Sequence, residues 1–386
     1  MTIYKIYFII QLYMDKLLTN IKILYNRIDT LERLIDIFDT EEKVLKFGEF
    51  KVDYINAQKS DVAFNKNLYD IINGIKTWLP VPRLLDYKAI LNEFTFKKIL
   101  GQGSFGTVLL VTRKSDNKDF VLKIQDILTT TLEHIPNEYI PDYLKDVQIE
   151  INALRRASAS SCDDIVKLYD IIYDETTNQI VYVMEFIEGY DLTKIINEIK
   201  EIDVDKYVEK FKIYWKEKDF IDNVVNPIIR GLRCLNNNGM AHRDIKPSNI
   251  MYNKIKKKTK LIDLGITCID KCPNTLVGTI IYGAPELFNN SLLDLTDLNV
   301  WKKADIWSLG KTLYEITIGQ EYPWSDDTFL SLTDSELLNT MGTIIPKEYK
   351  CIAKLIRGFL VIDPNERWNN WLTLTTYNGI NPITCL

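Results

Sequence analysis

The chain has 386 residues, of which 46% are hydrophobic, and its formal net charge is −5. This length predicts two or three compact units, or one two-lobed domain with an extension. The apolar content excludes global disorder, and the negative charge gives no basic field that would make nucleic acid the main partner.

Metal and redox chemistry receive little support from the sequence. Its six cysteines lack the C-x-x-C spacing of common zinc sites, and only two histidines accompany them. Cys268 and Cys272 are spaced for a redox pair, but reduced thiols in an intracellular protein are the favoured interpretation.

The first fourteen residues form an apolar run that Lys5 and Gln11 interrupt. The run is too short to cross a bilayer, and no small-residue cleavage site follows it. We therefore expect a cytoplasmic protein without a membrane span. The abundance of Lys, Ile, Asn and Tyr is typical of an AT-rich genome, and for a viral genome the compartment would be the host cell.

Residues 15–40 carry apolar side chains at spacings of three and four, which predicts an amphipathic helix. This helix either packs on the main domain, which we favour, or docks a regulatory partner. The prolines in 79–82 indicate a boundary. Residues 1–90 are therefore predicted to be a helical N-terminal extension of unknown role.

Short β-rich runs follow this boundary, and from about residue 190 helical periodicity dominates. The pattern predicts an α+β architecture with two lobes, assigned to residues 91–186 and 187–386. The predicted strands are Phe94–Ile99, Thr107–Arg113, Phe120–Ile124, Ile165–Tyr173 and Ile180–Glu185. The lysine-rich run 254–260 is predicted to be a solvated hairpin turn.

A glycine-rich run lies between the first two predicted strands. It consists of Gly101, Gln102, Gly103, Ser104, Phe105 and Gly106, followed by Thr107 and Val108. Glycines let a backbone approach phosphates closely. A dinucleotide-binding turn also uses such glycines but leads into a helix, whereas this run leads into a strand.

Lys123 stands within an apolar strand, where an ammonium group requires a negative partner. A lysine whose head reaches solvent is the alternative interpretation. Glu150, in the predicted helix 147–157, is the candidate partner.

The decisive stretch is His242-Arg243-Asp244-Ile-Lys246-Pro-Ser-Asn249, followed after an apolar strand by Asp263. These residue types suit phosphoryl transfer. One aspartate orients a hydroxyl, an aspartate with an asparagine holds magnesium, and a lysine neutralises charge.

With these motifs in this order, residues 91 to 370 resemble the eukaryotic protein kinases. The resemblance implies ATP and Mg²⁺ as cofactors, protein substrates, and transfer of the γ-phosphate. Asp244 resembles the base, Lys246 the γ-phosphate contact, and Asn249 and Asp263 the metal ligands. His242 resembles a structural residue.

The resemblance also implies a nucleotide site. Gly101, Gly103 and Gly106 would cover the phosphates, and the rest of the run through Val108 belongs to the same flap. Lys123, paired with Glu150, would hold the α- and β-phosphates. The backbone around Met184, at Glu185 and Ile187, would read adenine, and Asp191 would meet the ribose.

Further landmarks of the resemblance lie downstream. The segment 278–286, GTIIYGAPE, is similar to the end of an activation segment, with Thr279 expected near Asp244. Asp305 would brace the loop of Asp244, and Arg367 would pair with Glu286.

Three features depart from the pattern of the family. Leu264 replaces the usual aromatic residue, Val121 replaces the usual alanine, and the stretch 125–146 is long. The long stretch puts the register of Lys123 and Glu150 in question.

Lys246 is typical of the serine/threonine class, which we therefore expect. Either a loop phosphate on Thr267 or Thr275 docks on Arg243 through charge-assisted bonds, or neither residue is phosphorylated and the loop orders unaided. The alternatives are a pseudokinase scaffold that binds ATP, a small-molecule kinase, and an ATP-binding interaction module.

Overall fold

The computed structural model describes residues 83–85, 87–103, 106–126, 140–174, 179–202, 206–289, 293–320 and 349–367. The predicted helix at 15–40 and the boundary at 79–82 lie outside these residues. The described residues fall into two compact units, one holding residues up to 126 with 170–184, the other holding 140–169 with 185–367.

The first unit is built on a six-stranded sheet with strand order β1-β5-β6-β4-β3-β2. β1 pairs parallel to β5, and β2, β3 and β4 form an antiparallel meander. The five predicted strands are all confirmed, with ends that differ by a few residues. The elements are β1 (Arg83–Leu85), α1 (Tyr87–Glu93), β2 (Phe94–Gly103), β3 (Gly106–Arg113), β4 (Lys118–Asp126), β5 (Leu168–Asp174) and β6 (Gln179–Glu185).

The core of this unit consists of side chains that lie at every second position of its strands and therefore share one face of the sheet. Leu109 and Val111 of β3 and Phe120 and Leu122 of β4 point to the same buried cluster, because successive strand residues face opposite sides of a sheet. The rings of Phe94 and Phe120 meet edge to face at 6.3 Å between centroids. Burial of each such side chain contributes about 1.5–3 kcal/mol.

The second unit is mainly helical, as predicted. Its helices are α2 (Ile140–Ala159), α3 (Leu192–Ile202), α4 (Tyr207–Tyr214), α5 (Glu217–Phe220), α6 (Asn226–Asn237), α7 (Glu286–Asn289), α8 (Leu298–Ile318) and α9 (Lys350–Phe359). A π-helical turn, Ile221–Val225, joins α5 to α6, and 3₁₀ turns occupy Pro247–Asn249 and Ile280–Tyr282. Its short strands are β7 (Tyr190–Asp191), β8 (Met240–Ala241), β9 (Ile250–Asn253), β10 (Lys258–Leu261) and β11 (Cys268–Ile269).

Helix α8 is the centre of the second unit. Asp297 caps its start by accepting a hydrogen bond from the Asn299 N–H at 2.8 Å. Gly319 ends it in the left-handed conformation at φ 78°, where an added Cβ would lie 2.4 Å from the Tyr207 ring. Nearly every side chain between Ala304 and Ile318 is buried. In the part of the chain that the structure describes, no helix has the length and apolar character to cross a bilayer.

Helix α2 belongs to the second unit. Its C-terminal turn explains this placement. Arg156 makes two hydrogen bonds with Asp270, at 2.9 and 3.0 Å, and a third with the Asn238 carbonyl at 3.0 Å. Contacts over a long sequence separation therefore determine where this helix lies.

The structure joins Cys162 to Cys234 and Cys268 to Cys272 as disulfides. The expectation of reduced thiols was wrong for these four residues. The fold brings their Cα atoms to 5.9 and 5.0 Å, within the range that a disulfide requires. For the first pair, α6 passes beside the segment that follows α2.

The ion pair expected between Glu286 and Arg367 is confirmed. The two guanidinium nitrogens donate to the two carboxylate oxygens at 2.8 and 2.9 Å, and Arg367 is 1% exposed. Arg367 also donates to the carbonyls of Lys303 and Val361. The pair therefore ties the start of α7 to α8 and to the segment after α9.

We predict that Glu286→Gln lowers the free energy of unfolding by about 3 kcal/mol, because it leaves a buried guanidinium without its counter-charge. Urea unfolding monitored by circular dichroism measures the loss. The matched control is Arg230→Gln, which breaks the more exposed pair of Arg230 with Asp164 and should cost less than about 1 kcal/mol. Equal losses for the two variants would contradict this assignment.

Candidate active site

The loop that follows β8 is held by one buried carboxylate from α8. The backbone N–H of His242 donates to Asp305 Oδ2 at 2.7 Å, and that of Arg243 donates to Oδ1 at 2.8 Å. Asp305 is 1% exposed. The predicted bracing role of Asp305 is therefore confirmed in its geometry.

The buried His242 side chain contacts both this loop and a neighbouring segment. Its Nδ1 accepts a hydrogen bond from the Asp244 N–H at 3.3 Å, and Nε2 lies 3.2 Å from the Ile262 carbonyl, to which it donates in that tautomer. Burial lowers the pKa of His242. The neutral ring thus links the loop to the strand region before Asp263, as expected of a structural residue.

Arg243 adopts a left-handed backbone conformation with φ 71°, which is rare for a bulky residue. Its guanidinium donates to the Thr275 carbonyl at 2.9 Å and lies 4.2 Å from the centre of the Trp301 ring. Burial lowers the pKa of Arg243 to about 10. Of the two loop hydroxyls considered for phosphorylation, Thr267 is buried and Thr275 is exposed.

Asp244 is the centre of a hydrogen-bonded cluster. Its Oδ1 accepts from the Thr279 N–H at 3.1 Å and from the Thr279 hydroxyl at 2.7 Å, and Lys246 Nζ lies 2.8 Å from Oδ2. Lys246 also donates to Thr279 Oγ1 at 2.8 Å. Burial acts to raise the pKa of Asp244, but the hydrogen bonds from Lys246 and Thr279 outweigh it and hold this pKa below its usual range.

The two predicted metal ligands are Asn249, which contacts Asp244, and Asp263, which follows β10. Asn249 Nδ2 donates to Asp244 Oδ2 at 2.9 Å and to the Asp244 carbonyl at 2.8 Å, which turns the Asn249 Oδ1 atom away from Asp244. Asp263 follows β10 at φ 62°, and its Oδ1 accepts from the Gly265 N–H at 3.2 Å. The Asn249 carbonyl accepts from the Ile262 N–H at 2.9 Å, which keeps the two segments side by side.

This donor set fits magnesium. Mg²⁺ is usually bound through one or two protein oxygens together with substrate phosphates and water, instead of a cage made of protein alone. One carboxylate and one carboxamide oxygen match that pattern. The described residues contain no cluster of three or more acidic, His or Cys side chains that could hold a metal ion.

In the first unit, strand register brings three predicted nucleotide-site residues into one row. Gly101 of β2 pairs with Val108 of β3, and Val108 pairs with Lys123 of β4. Directly opposed residues place their side chains on the same face of a sheet. Val108 and Lys123 therefore share a face, and Gly101 leaves that face uncovered at its end of the row.

The surroundings of Gly101 and Gly106 differ in whether they leave room for a side chain. A Cβ on Gly106, at φ 122°, would lie 1.9 Å from the Ile124 carbonyl oxygen, so packing requires glycine there. A Cβ on Gly101 would meet nothing within 4 Å. Packing within the described residues therefore gives no reason for glycine at 101, which is consistent with room for a ligand. Ser104 and Phe105 lie outside the described residues.

Lys123 and Glu150 lie in different units, and their pairing stays a prediction. Lys123 Nζ is 5.5 Å from the centre of the Tyr182 ring. Glu150 is 4% exposed, and a Cβ on Gly265 would be 3.8 Å from its carboxylate. Glu150 thus lies beside the segment that carries Asp263.

Two residues that were predicted to contact the nucleotide, Asp191 and Glu185, form hydrogen bonds within the protein. Asp191 caps α3 by accepting from the Lys194 N–H at 3.0 Å. Glu185 accepts from Lys260 Nζ at 2.6 Å and its N–H donates to the Lys167 carbonyl at 2.9 Å. The adenine contacts of Glu185 and Ile187 and the ribose contact of Asp191 stay predictions.

Two site residues were missed by the sequence analysis. Lys260 was placed in a solvated turn, but the turn spans 254–257, and Lys260 lies in β10 and is 8% exposed. No local signal in the sequence marks Lys260, because its ion pair with Glu185 depends on tertiary packing. Trp301, whose ring covers Arg243, gave no local signal, because its role depends on how α8 packs.

Comparison with known proteins agrees with this geometry. The family described as "Protein kinase domain" matches residues 94–375. The chain belongs to the protein kinase family. The matched range holds the glycine-rich strand pair, the Asp244 cluster and both predicted metal ligands of this kinase domain.

The curated relatives compared with this chain share between a quarter and a third of its residues over the aligned part. A MAP kinase kinase from Saccharomyces cerevisiae, MKK1/SSP32, is 28% identical over 251 residues, covering 64% of this chain and 44% of the relative. A calcium/calmodulin-dependent protein kinase kinase from Caenorhabditis elegans is 27% identical over 298 residues, covering 72% of this chain and 50% of the relative. Mitogen-activated protein kinase kinase 1 from Arabidopsis thaliana is 26% identical over 303 residues, 76% of this chain and 71% of that relative. The chain thus spans about half the length of the first two relatives.

We predict that Asp305→Asn lowers the free energy of unfolding by about 1–3 kcal/mol, because a carboxamide offers one oxygen to two buried N–H donors. Urea unfolding measures this loss. The control is Asp297→Asn in the same helix, which should change little because asparagine caps helices as well as aspartate does. A stable Asp305→Asn variant alongside a damaged Asp297→Asn variant would refute the bracing role.

Proposed function

We propose that this chain is a serine/threonine protein kinase that transfers the γ-phosphate of ATP to hydroxyl groups of protein substrates. The observation that carries the proposal is the Asp244 cluster, in which Thr279, Lys246 and Asn249 all bond to one carboxylate. Such a cluster holds a carboxylate ionised and fixed in direction, as phosphoryl transfer requires.

In the proposed reaction, Asp244 accepts a hydrogen bond from the hydroxyl of the substrate and orients it. The hydroxyl oxygen forms a bond to the γ-phosphorus, the bond from that phosphorus to the β–γ bridging oxygen breaks, and the hydroxyl proton passes to Asp244. The lowered pKa of Asp244 keeps the carboxylate ionised at neutral pH, so it is ready to accept.

The positive groups have a separate task. Lys246 bonds to both Asp244 and Thr279, so its ammonium is held where negative charge would develop on the transferred group. Lys123 is assigned to the α- and β-phosphates. Gly101, which has open space at its Cα, is assigned to the backbone that covers them.

Asn249 through Oδ1 and Asp263 through its carboxylate would hold Mg²⁺. When bound, the metal neutralises charge on the phosphate oxygens. The left-handed backbone at Asp263 directs this carboxylate away from the extended path of β10. Asparagine and aspartate tolerate that conformation better than other side chains do.

Serine/threonine specificity rests on the position of Lys246, two residues after Asp244, and on its bond to Thr279. Several relatives bear matching names, such as the serine/threonine-protein kinase GRIK1 of Arabidopsis thaliana. A cytoplasmic location and a docking role for the predicted N-terminal helix also remain proposals. The rival is a scaffold that binds ATP without turnover, and the retention of Lys123, Asp244, Asn249 and Asp263 opposes it.

We predict that Asp244→Asn reduces γ-phosphate transfer from Mg-ATP to a generic protein substrate by a factor of about 10²–10⁴, because it removes the proton acceptor. Phosphoamino-acid analysis of the product should find phosphoserine or phosphothreonine. Asp294→Asn is the control, since Asp294 accepts local hydrogen bonds from the Thr296 N–H and hydroxyl and asparagine supports the same turn. Tight Mg-ATP binding without transfer in the unaltered chain would favour the scaffold.

A further inference from the structure

Two isoleucines project from the second unit farther than any other large hydrophobic side chain of the described residues. Ile213, near the end of α4, is 81% exposed, and Ile255, in the turn between β9 and β10, is 83% exposed. The other exposed side chains of this kind are between 43% and 60% exposed. A single exposed apolar side chain needs no explanation, but a group of them marks a surface that another molecule covers.

A cation–π contact joins the two segments that carry these isoleucines. Lys254 Nζ lies 4.4 Å from the centre of the Tyr214 ring. Ile213 directly precedes Tyr214, and Ile255 directly follows Lys254. The two isoleucines therefore stand on adjoining elements, one near the end of a helix and the other in a hairpin turn.

A third element, β7, extends this surface. Tyr190 of β7 pairs with Tyr252 of β9, and residues that pair directly share a face of the sheet. The Tyr252 ring packs on Trp215, just after α4, with centroids 4.7 Å apart. Tyr190 is 49% exposed, and Lys194 Nζ lies 3.9 Å from the centre of its ring. We call the surface formed by Tyr190, Ile213, Tyr214 and the turn 254–257 the hairpin surface.

Positive charge is concentrated at the hairpin surface, although the chain as a whole has a net charge of −5. The segments 206–222 and 254–258 hold nine lysines and four acidic residues, and every residue of 254–258 is exposed. Two of the acidic residues are already engaged. Glu217 accepts from two backbone N–H groups of α9, and Asp222 pairs with Lys218. The turn between β9 and β10 therefore presents lysines without an acidic residue among them.

We propose that the hairpin surface binds membranes that contain anionic phospholipids. Ile213 and Ile255 would enter the boundary between headgroups and acyl chains, and the lysines around them would lie against the phosphates. Apolar side chains flanked by lysines are typical of protein segments that lie on a membrane without spanning it. The lysines supply the charge complementarity, because each lysine near an anionic lipid surface strengthens binding about fivefold.

The shape of the surface favours a lipid layer over a protein partner. Side chains that are four-fifths exposed project from the surface instead of lining a cleft, and a fluid lipid layer accepts them without a complementary shape. Tyrosine and lysine suit the same boundary, because each has an apolar body and a polar end. The inference goes beyond the proposed kinase activity and does not depend on it.

The test is sedimentation of the full chain with vesicles. Vesicles of phosphatidylcholine with about a third phosphatidylserine should bind the chain at least about tenfold more tightly than vesicles of phosphatidylcholine alone. Raised salt should weaken this binding, because it screens the charges. Equal binding to both kinds of vesicle, or binding to neither, would overturn the proposal.

A first pair of variants tests the apolar contribution. Ile213→Ser combined with Ile255→Ser should lower the partition coefficient for the anionic vesicles about tenfold or more, because it removes the inserted side chains. Ile281→Ser is the control, since Ile281 is an exposed isoleucine in the 3₁₀ turn at 280–282, outside the hairpin surface. It should leave the partition coefficient unchanged.

A second pair of variants tests the charge and stands independently of the first. Lys256→Gln combined with Lys257→Gln should lower the same partition coefficient about tenfold or more. The control is Lys114→Gln combined with Lys118→Gln, which removes two exposed lysines at the hairpin turn between β3 and β4. Circular dichroism checks that all four variants are folded, as expected for substitutions of exposed side chains.

The remaining outcomes distinguish the membrane from an acidic protein segment, for which polyglutamate is the probe. Binding of polyglutamate that requires Lys256 and Lys257, with no binding to anionic vesicles, would overturn the proposal in favour of a protein partner. Vesicle binding that the variants and their controls alter equally would also overturn it. Phosphate transfer is measured in solution without vesicles, so failure of the kinase proposal would be seen separately.

Discussion

Two peptide N–H groups donate to one buried carboxylate, and the second unit is organised around that contact. Asp305 receives the N–H groups of His242 and Arg243 at 2.7 and 2.8 Å. Burial raises the pKa of Asp305 to about 7, while the two donors act in the opposite direction and favour the charged form. The loop is thereby fixed at the point where Arg243 takes a strained left-handed conformation. Asp244 directly follows this bend, and the backbone conformation of Arg243 therefore sets the direction of the Asp244 side chain.

Helix α8 supplies more than this one contact. Trp301, one turn before Asp305, covers the Arg243 guanidinium, and Ser308, one turn after it, holds the Tyr282 carbonyl. The same helix therefore positions the proposed catalytic loop and the segment that brings Thr279 to Asp244. Stability and the proposed function are coupled here, because a shift of α8 would disturb the loop of Asp244 and the segment of Thr279 together.

Much of this arrangement could be predicted from the sequence. Five strands of the first unit follow from short β-rich runs, and the motifs around Asp244, Asp263 and Thr279 have spacings that leave few alternatives. The bonds of Asp305 to the loop and of Glu286 to Arg367 were expected from the resemblance and are confirmed. These features depend on short motifs whose chemistry is local, or on pairs of charges that a large core brings together.

Other features depend on packing that no short segment encodes. Lys260 belongs to a lysine-rich run, but the register of β10 turns it inward to Glu185. Helix α2 joins the second unit because Arg156 reaches Asp270, 114 positions further along the chain. The disulfide of Cys162 with Cys234, 72 positions apart, depends in the same way on which elements become neighbours. Such contacts are set by the tertiary structure, and sequence periodicity alone carries no information about them.

The central claim is that Asp305 holds the loop of Asp244 in place, and native-state hydrogen exchange of the His242 and Arg243 amides tests it most directly. The account predicts that both amides exchange slowly in the unaltered chain, with opening free energies close to that of global unfolding. In Asp305→Asn, at least one of them should exchange much faster while amides in the middle of α8 stay protected. Rapid exchange of both amides in the unaltered chain, or equal protection in the variant, would contradict the account.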